Sequence, residues 1–195
     1  MIAAERVVHY LWSTREEALT YTRRDTSGNT LTPAFFGTCD ASHNVTHDSK
    51  GITGWAYQLC NGAAAWKCRA QDIDALSSCE AELIAVDEAV RELRFLHKLL
   101  EDFGTTVSEP TLIGQDNMST IALTKGSHFK ARTKHVSLRY HHVGEQQRAG
   151  NVTLQYLTTD AMPADLLTKP LAYAQHWRHT KVLLGHVPLL WKSKK

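Results

Sequence analysis

The sequence is short of several features that would narrow its role at once. Its formal net charge is only +2, from 22 Lys and Arg against 20 Asp and Glu. Bulk charge therefore does not mark a nucleic-acid binder, and any basic surface has to be local. No apolar run approaches the roughly 18 residues of a membrane span, and Met1-Ile2-Ala3-Ala4-Glu5-Arg6 lacks the charged-then-apolar order of a secretory signal. The expectation is a soluble, intracellular protein with no membrane partner. Cys39, Cys60, Cys68 and Cys79 form no C-x-x-C pair and do not alternate with histidine at zinc spacings. They are read as reduced, buried, small apolar residues. His176 and His179 sit on one helical face, but among 11 histidines such a pair arises readily by chance. The Asn-x-Ser/Thr triplets at Asn44, Asn117 and Asn151 have meaning only in a secreted chain. Neither an internal repeat nor a low-complexity linker is present, so 195 residues with 43% hydrophobic content suggest one domain with a sizeable core.

Periodicity then supplies the elements. Ile2, Val7, Val8 and Leu11 repeat at roughly helical spacing over residues 2–13, and Thr20-Tyr21-Thr22 reads as a short strand entering a turn at residues 24–29. Asp25-Thr26-Ser27-Gly28 narrowly misses the Asp-Thr-Gly of an aspartic protease, and a turn accounts for it. Residues 34–40, 51–60 and 63–67 are apolar or aromatic stretches, with Asn61-Gly62 as a hairpin signal, and read as a three-stranded antiparallel meander. Residues 77–103 carry Leu83, Val86, Val90, Leu93, Leu96 and Leu100 at threes and fours, ended by Gly104. A strand at 111–116, a helix through Ile121, a helix at 136–148, a strand at 152–157, a short helix after Pro163 and an amphipathic helix at 173–184 follow. Strands alternating with helices after the meander predict parallel additions, hence an α/β fold with a five-stranded mixed sheet.

Four acids fall at strand ends and helix starts: Asp40, Glu82, Asp116 and Asp165. Asp116 before Asn117 can be a helix cap, and Asp165 after Pro163 can simply complement a helix dipole. Glu82 is more informative. Ser77-x-x-Glu80 already forms a capping box, which leaves Glu82 at the head of the stripe that continues through Val86, Ala89, Leu93, Leu96 and Leu100. Asp40 shares its side of the first strand with Phe36 and Thr38, while Phe35, Gly37 and Cys39 take the other. Neither acid has an Arg or Lys partner nearby in sequence. Converging carboxylates without cations repel and stay partly protonated unless a divalent metal compensates them. Oxygen-only ligation suits Mg²⁺ or Mn²⁺. Two such ions about 4 Å apart activate a water on one side of a phosphodiester and stabilise the leaving oxygen on the other.

Six blocks in order, Thr38-Cys39-Asp40-Ala41, Leu76-Ser77-Ser78-Cys79-Glu80-Ala81-Glu82-Leu83, Gln115-Asp116-Asn117, Arg132-Thr133-Lys134-His135, Arg139-Tyr140-His141 and Ala164-Asp165-Leu166-Leu167-Thr168-Lys169-Pro170, resemble the ribonuclease H region of copia-type retrotransposon polyproteins over roughly residues 5–185. The resemblance implies an RNase H-like fold over 33–185 and a helical lead-in over 1–32 like the polymerase–nuclease connection, and the lysines at the end read as a basic tail over 186–195. It implies a catalytic, metal-binding set of Asp40, Glu82, Asp116 and Asp165 holding two Mg²⁺ or Mn²⁺ ions, and hydrolysis of the RNA strand of an RNA–DNA hybrid. It also implies reverse transcriptase and other polyprotein domains as partners, and a cytoplasmic virus-like particle or the nucleus as location. The chain departs from the family after the first aspartate, where Ser42-His43-Asn44 replaces the usual acid and tryptophan.

Basic and histidine residues concentrate between Lys125 and His142, where Arg132, Lys134, His135 and Arg139 are candidate phosphate contacts; a solvated helix face is the plain alternative. Ser78 and Asn117 are candidate contacts to the RNA 2′-hydroxyls. No histidine lies between Tyr156 and Asp165 to move protons, which leaves His135 as the best substitute, or as a residue that merely caps or packs its helix. Two rivals stay open: a non-catalytic nucleic-acid-binding or connection module with this fold, and another nuclease of the same superfamily.

Overall fold

In the computed structural model, residues 2–22, 34–43, 50–105, 110–126 and 134–191 are described, the side chains of Lys134 and His135 excepted. Five strands, β1 (Phe35–Ser42), β2 (Ile52–Leu59), β3 (Gly62–Ala70), β4 (Thr111–Gln115) and β5 (Val152–Tyr156), form one sheet in the order β3-β2-β1-β4-β5. The β1–β2 and β2–β3 pairs are antiparallel and the β1–β4 and β4–β5 pairs parallel, the mixed sheet that the alternation of elements predicts.

The period of two along β1 divides the core. Phe35 and Cys39 face α2 (Ser78–Asp102) with Trp55, Tyr57, Val86, Val90 and Leu93. Phe36 points to the opposite face and packs with Leu157, Met162, Ala164, Val182 and Leu189. That second layer comprises two short 3-10 helices, Thr159–Ala161 and Pro163–Leu167, and helix α5 (Tyr173–Leu183). Trp191 also packs edge-on against Phe36, so the chain beyond α5 returns under the sheet. Helices α3 (Met118–Lys125) and α4 (Lys134–Arg148) lie beside α2, whose first turns are consequently buried on more than one side: Leu83 packs on Val136 and Tyr140 rather than on the sheet.

Local chemistry sets the ends of α2. Ser77 is the N-cap, its Oγ accepting from Glu80 N at 3.2 Å, while Glu80 Oε2 accepts from Leu76 N at 3.0 Å. The capping box is therefore present, with the acid reaching one residue further back than its usual form.

Several expectations are corrected. The two-residue loop between β2 and β3 is Cys60-Asn61, with φ of 51° and 73°, and not Asn61-Gly62. Positive φ at both central residues suits a primed hairpin turn. Gly62 is needed for a different reason: a Cβ there would lie 2.6 Å from Thr20 O and 2.9 Å from the Tyr21 ring. Residues 20–22 form no strand; they dock through Thr20 N to Leu184 O and Thr22 N to Cys60 O, both 2.8 Å. Helix α1 (Ile2–Ser13) forms but buries none of its residues. Only Cys39 of the four free cysteines is buried; Cys60 and Cys79 are half-buried and Cys68 is exposed. The turn at 24–29 lies outside the described residues, and no described helix is long and apolar enough to cross a membrane.

Candidate metal centre

The parallel register pairs Thr38 of β1 with Gly114 of β4. Two residues further along each strand stand Asp40 and Asp116, at the carboxyl ends of neighbouring parallel strands, where α/β sheets place their sites. Asp165 arrives from the other layer, on the 3-10 helix Pro163–Leu167. That helix can lie against the sheet because Gly54, the cross-strand partner of Asp40, has no side chain: a Cβ there would fall 2.7 Å from both Leu167 Cβ and Thr168 Cγ2. Asp40, Asp116 and Asp165 each offer a carboxylate oxygen within 4.8 Å of the others.

The cluster is not without a cation, contrary to the sequence expectation. Lys169 Nζ lies 3.0 Å from Asp165 Oδ1 and 3.6 Å from Asp40 Oδ2. Lys169 stands four residues after Asp165, just beyond the 3-10 helix Pro163–Leu167, where no helical spacing rule announces the contact. Two hydroxyls complete the surroundings: Thr168 Oγ1 donates to Asp40 Oδ2, and Thr159 Oγ1 donates to Asp116 Oδ2 at 2.9 Å. Neither oxygen of the fully buried Asp165 accepts a hydrogen bond of normal geometry.

Glu82 stands beside this trio and is buried, as its stripe position predicts. Its Oε2 accepts from Gln115 Nε2 at 3.0 Å. Gln115 is fully buried and also accepts from Asn117 N at 2.8 Å, so one side chain ties α2 to the turn carrying Asp116. Nothing in the local pattern of Gln115 signals this role.

Electrostatics follow from burial. Desolvation, with the charges of Asp40 and Asp116 added, pushes the Glu82 carboxyl up to about 9. Desolvation also lifts Asp40 to about 7, against the opposing Thr168 hydrogen bond and Lys169 charge. Asp165 is likewise raised by burial, opposed by Lys169. The Cys39 thiol behind the site is held far up by burial and by Glu82, Asp40 and Asp116. Carboxylates so placed cannot all ionise without more positive charge than one ammonium supplies. Hard oxygen donors, a fully buried aspartate and this charge deficit fit a divalent cation such as Mg²⁺ or Mn²⁺.

The other candidate residues do not all gather here. Ser78 is exposed at the start of α2. Asn117 Oδ1 caps α3 by accepting from Thr120 N at 3.0 Å. Arg139 lies on α4 with its NH1 3.9 Å from Oδ2 of buried Asp87, which also pairs with His142 Nδ1 at 2.7 Å and Arg91 at 3.0 Å. Arg132 falls outside the described residues, as do the side chains of Lys134 and His135. His176 and His179 do not share a ligand site: His176 Nε2 is 3.3 Å from Tyr10 OH, whereas His179 is buried and held down at about 4 by desolvation.

No family model matches the sequence. The chain is 32% identical over 168 residues to the retrovirus-related Pol polyprotein from transposon TNT 1-94 of Nicotiana tabacum, covering 86% of this chain and 12% of that one. It is 30% identical over 170 residues to the corresponding polyprotein from transposon RE2 of Arabidopsis thaliana, with 87% and 11% covered. It thus spans about a tenth of the length of these curated relatives. Among solved structures, the N-terminal RNase H domain of rv2228c from Mycobacterium tuberculosis superposes with a TM-score of 0.52 at 9% identity, covering 75% of this chain and 96% of that one. LC11-RNase H1 in complex with RNA/DNA hybrid gives 0.50 at 12% identity, with 69% and 93% covered. The chain is therefore similar to one segment of copia-type retrotransposon Pol polyproteins over most of its own length, and it has the fold of RNase H domains.

Proposed function

We propose that this chain is a metal-dependent ribonuclease H that hydrolyses the RNA strand of RNA–DNA hybrids within a retroelement polyprotein. The observation that carries the reading is the trio Asp40, Asp116 and Asp165, with oxygens inside 4.8 Å, at the strand ends of an RNase H fold. One similar structure is an RNase H1 bound to RNA/DNA hybrid. Asp40, Glu82, Asp116 and Asp165 are the residues that would hold two divalent ions. Such ions, when bound, supply activation of a water and stabilisation of the leaving oxygen in phosphodiester hydrolysis.

The chain's own groups then have definable work. Thr168 and Thr159 fix the rotamers of Asp40 and Asp116 by donating to one oxygen of each. Gln115 does the same for Glu82. Ser78 and Asn117, at the starts of α2 and α3, are the proposed contacts to the RNA strand, and Arg132, Lys134, His135 and Arg139 the proposed phosphate contacts, which gives binding that weakens with salt and ignores sequence. The polymerase part of the same polyprotein is the proposed partner.

Lys169 inside the cluster favours one rival, a closed ion-pair site in a non-catalytic module. Cleavage of labelled RNA–DNA hybrid, beside RNA duplex, DNA duplex and single strands, with Mg²⁺ or with chelator, separates the two. RNase H activity requires cut RNA in the hybrid alone, dependent on metal and abolished by Asp40→Asn and by Asp116→Asn. Hybrid binding without any cleavage leaves the non-catalytic module.

A further inference from the structure

Lys169 is half in and half out of the acidic cluster. Its side chain is 35% exposed, while its ammonium lies 3.0 Å from an oxygen of Asp165, a residue that is itself 0% exposed. The backbone beneath is fixed: Lys169 N donates to Asp165 O at 3.2 Å, and Pro170 follows with its φ locked. The tip is held differently. The ammonium makes a charge-assisted contact with Asp165 at 3.0 Å, and Asp40 is 0.6 Å more remote (3.6 against 3.0 Å), so the tip is tied to these two acids by charge. A long, flexible side chain with an open route to solvent can turn outward without moving the backbone once another cation takes over its carboxylates.

From this geometry we infer that Lys169 is the resident counter-ion of the metal-free centre: it holds Asp40 and Asp165 together and gives them up when a divalent ion enters. The inference rests on the metal-centre reading above. Before metal binds, the ammonium offsets part of the repulsion among the converging acids, which Thr168 alone cannot do because a hydroxyl carries no charge. When metal binds, the same charge competes for Asp40 and Asp165, so it lowers divalent affinity and has to move aside, towards the open side of the site. Lys169 is in this sense a positioning residue, and the protein trades affinity for a cluster that stays assembled while empty.

The test is a calorimetric titration of Mn²⁺ into the whole chain, wild type and Lys169→Met, without nucleic acid, together with thermal unfolding in EDTA. Removing one positive charge about 4–5 Å from a divalent ion in a partly solvated site should tighten Mn²⁺ binding about tenfold or more, while the melting temperature in EDTA falls. Lys169→Arg should bind Mn²⁺ like wild type. Equal or weaker Mn²⁺ binding by Lys169→Met overturns the inference, since a merely structural lysine would loosen the site. Absence of Mn²⁺ binding to wild type sinks the metal-centre reading and the inference together, whereas intact wild-type binding with no gain in the variant sinks the inference alone. Amine labelling of wild type needs no variant to fold. Mn²⁺ should raise modification of Lys169 several-fold relative to Lys98, whose partner Asp102 is on the surface; an unchanged ratio refutes the displacement.

Discussion

Gln115 Nε2 donates to Glu82 Oε2 at 3.0 Å, which gives this acid a neutral partner where Asp40 and Asp165 share a charged one. Gln115→Leu keeps the volume of the side chain and removes its donor and acceptor. The expected result is a folded protein whose hybrid-cleavage rate falls about 10–100-fold, the range for a residue that orients a ligand. Glu82→Gln should remove activity outright. Glu80→Gln should leave the rate unchanged and cost a fraction of a kcal/mol, because Gln still serves the capping position. Single-turnover cleavage beside urea midpoints makes the comparison, and loss of activity in Glu80→Gln with retention in Glu82→Gln would reverse the assignment.

The metal-free protein should lose stability as pH rises. Asp40 moves from 3.8 to about 7 and Glu82 from 4.5 to about 9 on folding. Both folded values exceed the unfolded ones, so between about pH 4 and 9 the native state binds more protons and the slope of stability against pH is negative. Melting in EDTA across pH 5–9 should show a falling midpoint, flattened by Glu82→Gln and by saturating Mg²⁺. A rising profile in EDTA would mean that the acids are not desolvated as described.

Gly54 tests how the two layers meet. A methyl at this position would collide with Leu167 Cβ and Thr168 Cγ2 at 2.7 Å and approach Ala164 O at 3.1 Å. Gly54→Ala should cost about 1–3 kcal/mol, as overpacking does. It should lower cleavage beyond the loss of folded protein, because the displaced 3-10 helix carries Asp165. Cleavage per folded molecule equal to wild type would show that the helix accommodates the methyl without moving the aspartate.

Arg139 is placed to serve stability as well as substrate. Asp87 is buried with Arg91, His142 and Arg139 around it, so Asp87→Ala should cost about 1–3 kcal/mol by removing the acceptor that these partly exposed partners share. Arg139→Ala should cost about 1 kcal/mol, since its pair is long and partly exposed. If Arg139 also touches phosphate, the variant will show a shallower salt dependence of hybrid affinity; an unchanged slope confines it to the α2–α4 contact.

His135 remains the proposed proton-transfer residue. His135→Ala is expected to fold and to bind hybrid as wild type does, with a single-turnover rate about 100-fold lower. Weakened binding at an unchanged rate would make it a phosphate contact, and no change in either would leave it a helix residue.

The strands and helices were legible because their signals are local. Alternation along residues 34–40, the threes and fours from Leu83 to Leu100, and Ser77 with Glu80 are all properties of chain segments a few residues long, and each formed where its pattern lay. The acids at strand ends were legible for the same reason: Asp40 and Asp116 stand at comparable positions in two strands whose parallel pairing the helical crossover implies. What a local pattern cannot carry is an encounter between distant segments. Thr168 on Asp40 spans 128 residues, Gln115 on Glu82 spans 33 and Thr159 on Asp116 spans 43. The exposure of the apolar α1 positions, the need for glycine at positions 54 and 62, and the ammonium of Lys169 among the acids were likewise decided by what each residue meets in space. Sequence determined which elements form and which acids stand at their ends; packing decided which charges compensate them, because Coulomb attraction and steric exclusion depend on separations of a few ångströms that only the assembled layers define.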